Sequence, residues 1–484
     1  MRQQLLFLKT LAVGFILLMG VTAKGATYFV KTNGSSAWAN VSGGTVKELA
    51  SGNAITGFST INKAATGTDT YYFAPGTYNI NGVLPLTTGQ IYGGFSGNET
   101  SISDLTTRLT SDLDGNGIVE PWELSNVVTF TITTFTYSNA TGTANRTLSV
   151  TGTGGEVNGI TFYDINYNTT GGNGAILLGE VSSAPSDGFN TAKAGKLTQC
   201  IVRQIKNSTA YGVVMITNAN SVVDKCLIED SRVIAGNGTI FMNKYGGTVS
   251  NSVIRNNIVS AYGGAIWMGA TTSNSVDASA NAIVSNCAIY NNTAGSNGGA
   301  IRAEALNSTG AKGIQIVNCT VVYNKTTTSS SASLELVNSG LIANTISLSD
   351  PYYEIRPTQA TNYVINDVFG TNTGGTLYPS TGHNNTSGIA DNTFTALNFK
   401  NPTAFQGAVG NSISDVATYT DALKSQIKNA NYYITSTSSK AYTTYSTNYV
   451  SLPSSFKAAG GTGSSIAITA TVPTTDINGT TRNT

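Results

Sequence analysis

The sequence predicts an all-β fold: a right-handed parallel β-helix (a solenoid) with an N-terminal capping helix and inserted loops. Three observations carry that reading. A short apolar segment recurs at 197–202, 223–228, 249–254, 284–289 and 316–321, with Cys200, Cys226, Ser252, Cys287 and Cys319 at its fourth place, 26, 26, 35 and 32 residues apart. Each of the first four copies is followed by a turn and a strand opened by glycine, at Gly212, Gly238, Gly264 and Gly299, with an earlier one at Gly174. No 3.6-residue periodicity runs through these segments, while β-branched runs of a few residues abound. A period near 26 that holds two or three short strands suits one coil of a parallel β-helix. The longer spacings then read as loops inserted at a turn.

Taken in order, residues 1–23 have the pattern of a signal peptide: Arg2 and Lys9 precede an apolar run, and small residues end at Ala23. The run is short for a bilayer span, so an uncleaved anchor is the weaker alternative. Residues 24–100 would form the cap and first rungs, and 101–130 an inserted loop. The central repeats would occupy 131–345, including a weaker copy at 157–160, and C-terminal rungs with longer loops 346–484. The segment 58–65 carries apolar residues at Phe58, Ile61, Ala64 and Ala65, the spacing of a capping helix.

Composition narrows the function. Lys and Arg number 26 and Asp and Glu 25, and loss of Arg2 and Lys9 with the leader leaves a net charge of about −1. That balance offers nothing to nucleic acid or an anionic membrane. Charged residues make up only 11% of the chain, yet 40% is hydrophobic, enough to bury a core. The even cysteine count of an exported chain suggests disulfides. Recurrence at one repeat position beside apolar residues favours inward-facing thiols. Asn256, Asn257, Asn291, Asn292 and Asn324 follow the repeats and suit a stacked amide ladder at a turn.

The stretches Thr27-Tyr28-Phe29-Val30, Ser36-Ala37-Trp38-Ala39-Asn40, Phe73-Ala74-Pro75-Gly76-Thr77-Tyr78 and 91–100 resemble the opening of secreted right-handed β-helix proteins of Bacteroidetes type. The GlyGlyAlaIle strands at 263–266 and 298–301 are similar to polymorphic outer membrane protein repeats, within the pectin-lyase-like superfamily. The resemblance implies a chain that is secreted, extracellular or held at the outer membrane of a Gram-negative bacterium. It also implies final rungs near 398–405 and 430–434, and a closing turn at 475–482 that usually continues further, so that either the sequence would be cut short or the final edge would be left open.

One segment carries sharp chemistry. Residues 112–123 fit the calcium-loop template, with Asp112, Asp114 and Asn116 giving side-chain oxygens, Ile118 a carbonyl, and Glu120 and Glu123 carboxylates around a turn at Gly117. With no second loop, the expectation is a structural Ca²⁺ site rather than a switch; the plain alternative is a solvated acidic turn. For catalysis the residues are poor. The single histidine, His383, stands without an acidic partner pattern. The best catalytic cluster is Arg302, Glu304 and Arg255, with Arg302 one coil beyond Trp267, and such a pair is more often a plain ion pair. Tyr211, Tyr262, Trp267 and Tyr290 are the candidate ligand-binding residues, outward aromatics suited to stacking on sugars. The sequence therefore points to an adhesion or binding module for glycans or an extracellular protein surface. A polysaccharide lyase or glycoside hydrolase is the alternative, resting on fold analogy.

Overall fold

In the computed structural model the described residues are 25–61, 66–106 and most of 133–357, followed by isolated strands out to 465–467. The chain winds as a right-handed parallel β-helix. A representative coil has four strands, Gly195–Thr198, Ile201–Arg203, Lys206–Asn207 and Val214–Ile216. The next repeats them at Val222–Asp224, Leu227–Glu229, Arg232–Val233 and Ile240–Met242. First and second strands join one 23-stranded sheet, third strands a six-stranded sheet, and fourth strands a nine-stranded sheet.

Register is kept from rung to rung. Leu197, Val223, Val249, Val284, Ile316 and Ile342 lie directly above one another. The two long spacings are absorbed between the fourth strand of one coil and the first of the next, from Met268 to Asn281 and from Glu304 to Ile314. A one-residue slip would turn each strand inside out, so the extra residues must sit between strands. Inward side chains such as Val202, Val214 and Ile216 stack with their equivalents in one continuous core. Each such side chain contributes about 1.5–3 kcal/mol by burial.

Two corners per coil turn on residues with left-handed backbone. Gln199, Lys225, Asn251, Asn286 and Asn318 have φ of 47–57°, and Gln204, Asp230, Asn256, Asn291 and Tyr323 have φ of 53–60°. These residues still donate to the next rung: Asn251 N–H to Ser285 O at 3.1 Å and Asn286 N–H to Val317 O at 3.0 Å. Bending thus loses no ladder bond. Asparagine is among the non-glycine residues that tolerate this conformation, which explains its recurrence at the corners.

The residue after each corner points inward. At the first corner these are Cys200, Cys226, Ser252, Cys287 and Cys319, and all four cysteines are free and buried. Burial pushes the thiols of Cys226 and Cys287 well up, leaving them unreactive. At the second corner Asn257, Asn292 and Asn324 form the expected ladder. Asn257 Nδ2 donates to Asn292 Oδ1 at 3.0 Å, and Asn292 Nδ2 to Asn324 Oδ1 at 2.9 Å. The same oxygens accept the backbone N–H of Asn257 and Asn292 from the rungs below.

At the N-terminus a short helix, Phe58–Ile61, packs Phe58 on the Tyr71 ring with centroids 4.6 Å apart. The remainder of the expected capping helix, residues 62–65, lies outside the described residues, as do the leader 1–23 and the calcium loop 112–123. Outside the first rungs, Phe29, Tyr72 and Tyr92 stack at 5.5 and 5.4 Å. Trp38 and Phe95, from the two motifs of the resemblance, close over them. Glu99 locks this clasp by accepting from Trp38 Nε1 at 2.8 Å and from the Ser96 amide and hydroxyl. Burial alone would raise the Glu99 carboxyl, but these hydrogen bonds hold it below its ordinary range.

Towards the C-terminus, parallel stacking continues through Tyr363–Phe369 and Asn384–Ala390. The segments read as final rungs behave differently: Phe399–Asn401 and Asn431–Ile434 pair antiparallel. Strand content there was legible but strand direction was not, because direction depends on how the intervening chain returns. No helix among the described residues is long and apolar enough to cross a membrane.

Replacing Asn292 by Ala strips an acceptor from a buried backbone N–H and breaks the ladder on both sides. A loss of about 2–4 kcal/mol is expected, read as a lower urea midpoint with an unchanged slope.

Candidate functional site

The fourth strands point their middle residue outward, and rung by rung these form one column: Leu177, Met215, Phe241, Trp267, Arg302 and Glu335. The first four make an apolar cluster outside the barrel, with Tyr211 and Tyr262 half-buried against it. Tyr211 meets Phe241 at 5.2 Å and Phe241 meets Trp267 at 4.9 Å between centroids. Where the column turns polar, the Arg302 guanidinium lies 3.9 Å from the Tyr262 ring centroid, a cation–π contact. Its Nη2 is 2.5 Å from Glu304 Oε1. Glu335, one rung on, accepts from Asn297 Nδ2 at 3.3 Å.

Glycines shape this face. Gly263 and Gly298, each the first of a GlyGlyAlaIle strand, have φ of 66° and 72°. A Cβ on Gly298 would come within 2.6 Å of Arg302 Cβ. Gly269 makes room instead for the Trp267 indole, which lies across it, and a Cβ there would be 2.4 Å from Cζ2. The indole is thereby directed towards the carboxyl of Glu304, two residues beyond Trp267's neighbour Arg302, and its N–H favours the charged carboxylate. Burial raises the Glu304 carboxyl above its ordinary range, opposed by Arg302 and reinforced by Glu335.

A second polar column lies on the outward face of the second strands, where Arg203, Glu229, Arg255 and Tyr290 are successive neighbours. Glu229 is held from both sides, by Arg203 Nη2 at 2.7 Å and by Arg255 Nη2 at 2.7 Å and Nε at 2.8 Å. Arg255 Nη1 donates to the Tyr290 hydroxyl at 3.0 Å. Burial alone would discharge Arg255, but Tyr290 and Glu229 hold it firmly protonated. Burial likewise pushes the Tyr290 hydroxyl up, against the pull of Arg255. This is a structural ion network, with every charge paired as burial demands.

Of the four candidate aromatics, Tyr211, Tyr262 and Trp267 come together on the fourth-strand face, joined by Arg302 and Glu304. Tyr290 and Arg255 do not: they sit on the second strands, both buried, and bond each other. The three-residue cluster of Arg302, Glu304 and Arg255 is therefore split between two faces. Trp267, expected on the surface, is only 4% exposed, because the Phe241 and Tyr262 neighbourhood packs around it. Phe241 and Glu335 complete the face and were missed. Phe241 holds Trp267's place in its own repeat, so the repeat spacing contained that signal; Glu335 follows no GlyGlyAla turn and gave none. Asp112, Asp114, Asn116, Ile118, Glu120, Glu123 and His383 lie outside the described residues. Among the described residues no group of three or more His, Cys, Asp or Glu could hold a metal ion.

No family model, curated protein or solved structure matches the chain.

Asp230, at a left-handed corner beside Glu229, has its carboxyl pushed up to about 6 by burial and by the Glu229 charge. The unfolded chain releases this proton near pH 4. Between about pH 4 and 6 the folded state retains a proton that the unfolded state has lost, so stability falls as pH rises, and the penalty is complete above about pH 6. Asp230→Asn keeps the acceptor for Asn256 Nδ2. It is expected to stabilise by about 1–2 kcal/mol at neutral pH and to change little near pH 4, measured by urea denaturation at both.

Proposed function

We propose that this chain is an exported β-helix that binds glycans, or glycan-bearing extracellular surfaces, through the outward column of its fourth strands. The observation that carries the reading is the aromatic run Tyr211–Phe241–Trp267–Tyr262 ending on the Arg302–Glu304 pair. Half-buried tyrosines packed on an aromatic floor beside a donor–acceptor pair suit sugar recognition: apolar C–H faces lie on the rim rings and hydroxyls meet the polar groups. The low charge of the chain and its leader-like start support a role outside the cell. The clasp of Trp38 and Phe95 and the GlyGlyAlaIle turns support kinship with secreted β-helix proteins of the pectin-lyase-like superfamily, in a Gram-negative envelope. A glycan array on the mature chain tests the reading. Binding is expected, with a loss of at least about tenfold in Trp267→Ala; an array blank for every glycan would overturn it.

A second reading, cleavage of polysaccharide, is favoured by one observation, the burial-raised carboxyl of Glu304 between Arg302 and Glu335. It requires new reducing or unsaturated ends when the chain is incubated with pectic and host glycans, abolished by Glu304→Gln. Absence of such ends refutes it.

The loop 112–123 is proposed to hold a structural Ca²⁺, supported by its donor set alone. Chelator is expected to lower the melting temperature, and Glu123→Gln to remove the difference. A melting curve indifferent to chelator would sink this assignment.

A further inference from the structure

We infer that the outward face of the second strands, from Leu227 to Val322, is a docking surface for this chain's own C-terminal stretch, residues 391–484. The inference is independent of the glycan reading. It comes from burial where the coils by themselves provide none.

Two columns point outward on these strands. One runs through Ile201, Leu227, Val253 and Ala288, the other through Arg203, Glu229, Arg255 and Tyr290. Inward neighbours such as Val202 and Ile228 belong to the core, whereas Ile201, Leu227, Val253 and Ala288 belong to none of the apolar clusters among the described residues. All four are nonetheless buried. So are the largest side chains of the face, with Arg255 at 0% exposure, Glu229 at 1% and Tyr290 at 2%. The outermost side chains of a bare sheet cannot bury one another to that extent. The first strands give the comparison, since they belong to the same sheet. On the same rungs their outward residues Val222, Asp224, Thr248, Ser250, Ile283 and Ser285 are all half-buried. Chain from elsewhere therefore covers the second strands and leaves the first strands open at these rungs.

Two gradients show the end from which that chain comes. Along the second strands exposure falls from 37% at Tyr163 to 15% at Arg203 and 0% at Arg255. On the first strands the half-buried run ends after Ser285, and Gln315, Val317 and Leu341 are fully buried. Cover deepens and widens towards the C-terminal end. The insertion 107–132 enters beside Thr133–Tyr137, one rung to the N-terminal side of the exposed Tyr163. Segments 270–280 and 305–313 link a fourth strand to a first strand, and would close the first-strand face before the second.

Residues 391–484 meet the requirements. Beyond Ala390 the described strands pair antiparallel with one another in two small sheets of their own, so the chain no longer builds rungs. From Ile389 back to Leu227 is six rungs. At the usual strand spacing that is about 29 Å, a distance covered by about nine extended residues. The stretch holds six Tyr and four Phe. Rings of that kind suit Leu227 and Val253, and phenolic hydroxyls suit the arginines beside them.

The test uses the full chain with a diazirine analogue of leucine in place of Leu227, and separately in place of Val222 on the first strands. On illumination the analogue at 227 is expected to cross-link to peptides from 391–484, located by mass spectrometry, as well as to its rung neighbours. The analogue at 222 is expected to give rung neighbours and water adducts only. Cross-links from 227 confined to rung neighbours, water, residues 107–132 or a second copy of the chain overturn the inference. Equal capture of 391–484 from position 222 overturns its assignment to the second-strand face. Val253→Asp, which sets a charge beneath the cover and leaves the inward stack alone, supplies an independent readout. Cleavage within 391–484 by limiting protease is expected to accelerate at least about tenfold, while hydrogen-exchange protection of 195–348 is unchanged. An unchanged cleavage rate with that protection intact overturns the docking. If Val253→Asp loosens the rungs themselves, the cross-linking result, taken on a nearly isosteric side chain, decides.

Discussion

Each coil of this protein has to turn sharply without losing a single bond to the coil above it. The left-handed corners satisfy that constraint. A residue at φ near 50° redirects the chain, yet its N–H still reaches the carbonyl of the next rung, as from Gln204 to Glu229, Asp230 to Arg255 and Asn256 to Tyr290. The residue that follows is swung inward. Cysteine, serine and asparagine at those inward positions are small enough to stack and polar enough to satisfy buried groups. Ser252 Oγ, for example, accepts the N–H of Cys226 at 3.0 Å. Core, amide ladder and register all descend from the placement of these corners, because a corner moved by one residue would invert every strand beyond it.

With the inside committed to stacking, the outside is where rungs differ. The two outward columns solve different problems with similar residue types. On the second strands Glu229 lies between Arg203 and Arg255, and Arg255 meets Tyr290, a largely buried state in which breaking one partner would strand a charge. On the fourth strands Arg302 pairs with Glu304 and lies under Tyr262, and half-buried tyrosines form a rim. The contrast separates a network in which one glutamate ties two rungs together from a face rimmed by half-buried tyrosines, and it rests on burial rather than on residue identity.

The period, the inward thiols and the asparagine ladder were legible because they recur at fixed offsets, and a solenoid converts offset directly into neighbourhood. Trp267 and Arg302 could be placed side by side for the same reason. Arg255 was grouped with them wrongly in space: it belongs to the strand just after the Ser252 corner, whereas Trp267 follows the glycine turn. Residue spacing alone does not say which side of the coil a strand occupies. Left-handed corners at Gln199, Lys225 and Tyr323 were equally hidden, since those residue types seldom adopt that backbone and do so here because the rungs on either side dictate it.

The sequence by itself determined the class of fold, the rung length, the inward pattern and the positions where loops are inserted, because each is a local periodicity of side-chain type. Only the tertiary structure decided which outward residues share a face, which charges are neutralised, and which donors remain without partners. Those properties belong to a surface assembled from residues 26 to 35 positions apart on successive rungs. They depend on the burial that a whole stack provides, as at Trp267, whose indole is packed against Phe241 from the rung before.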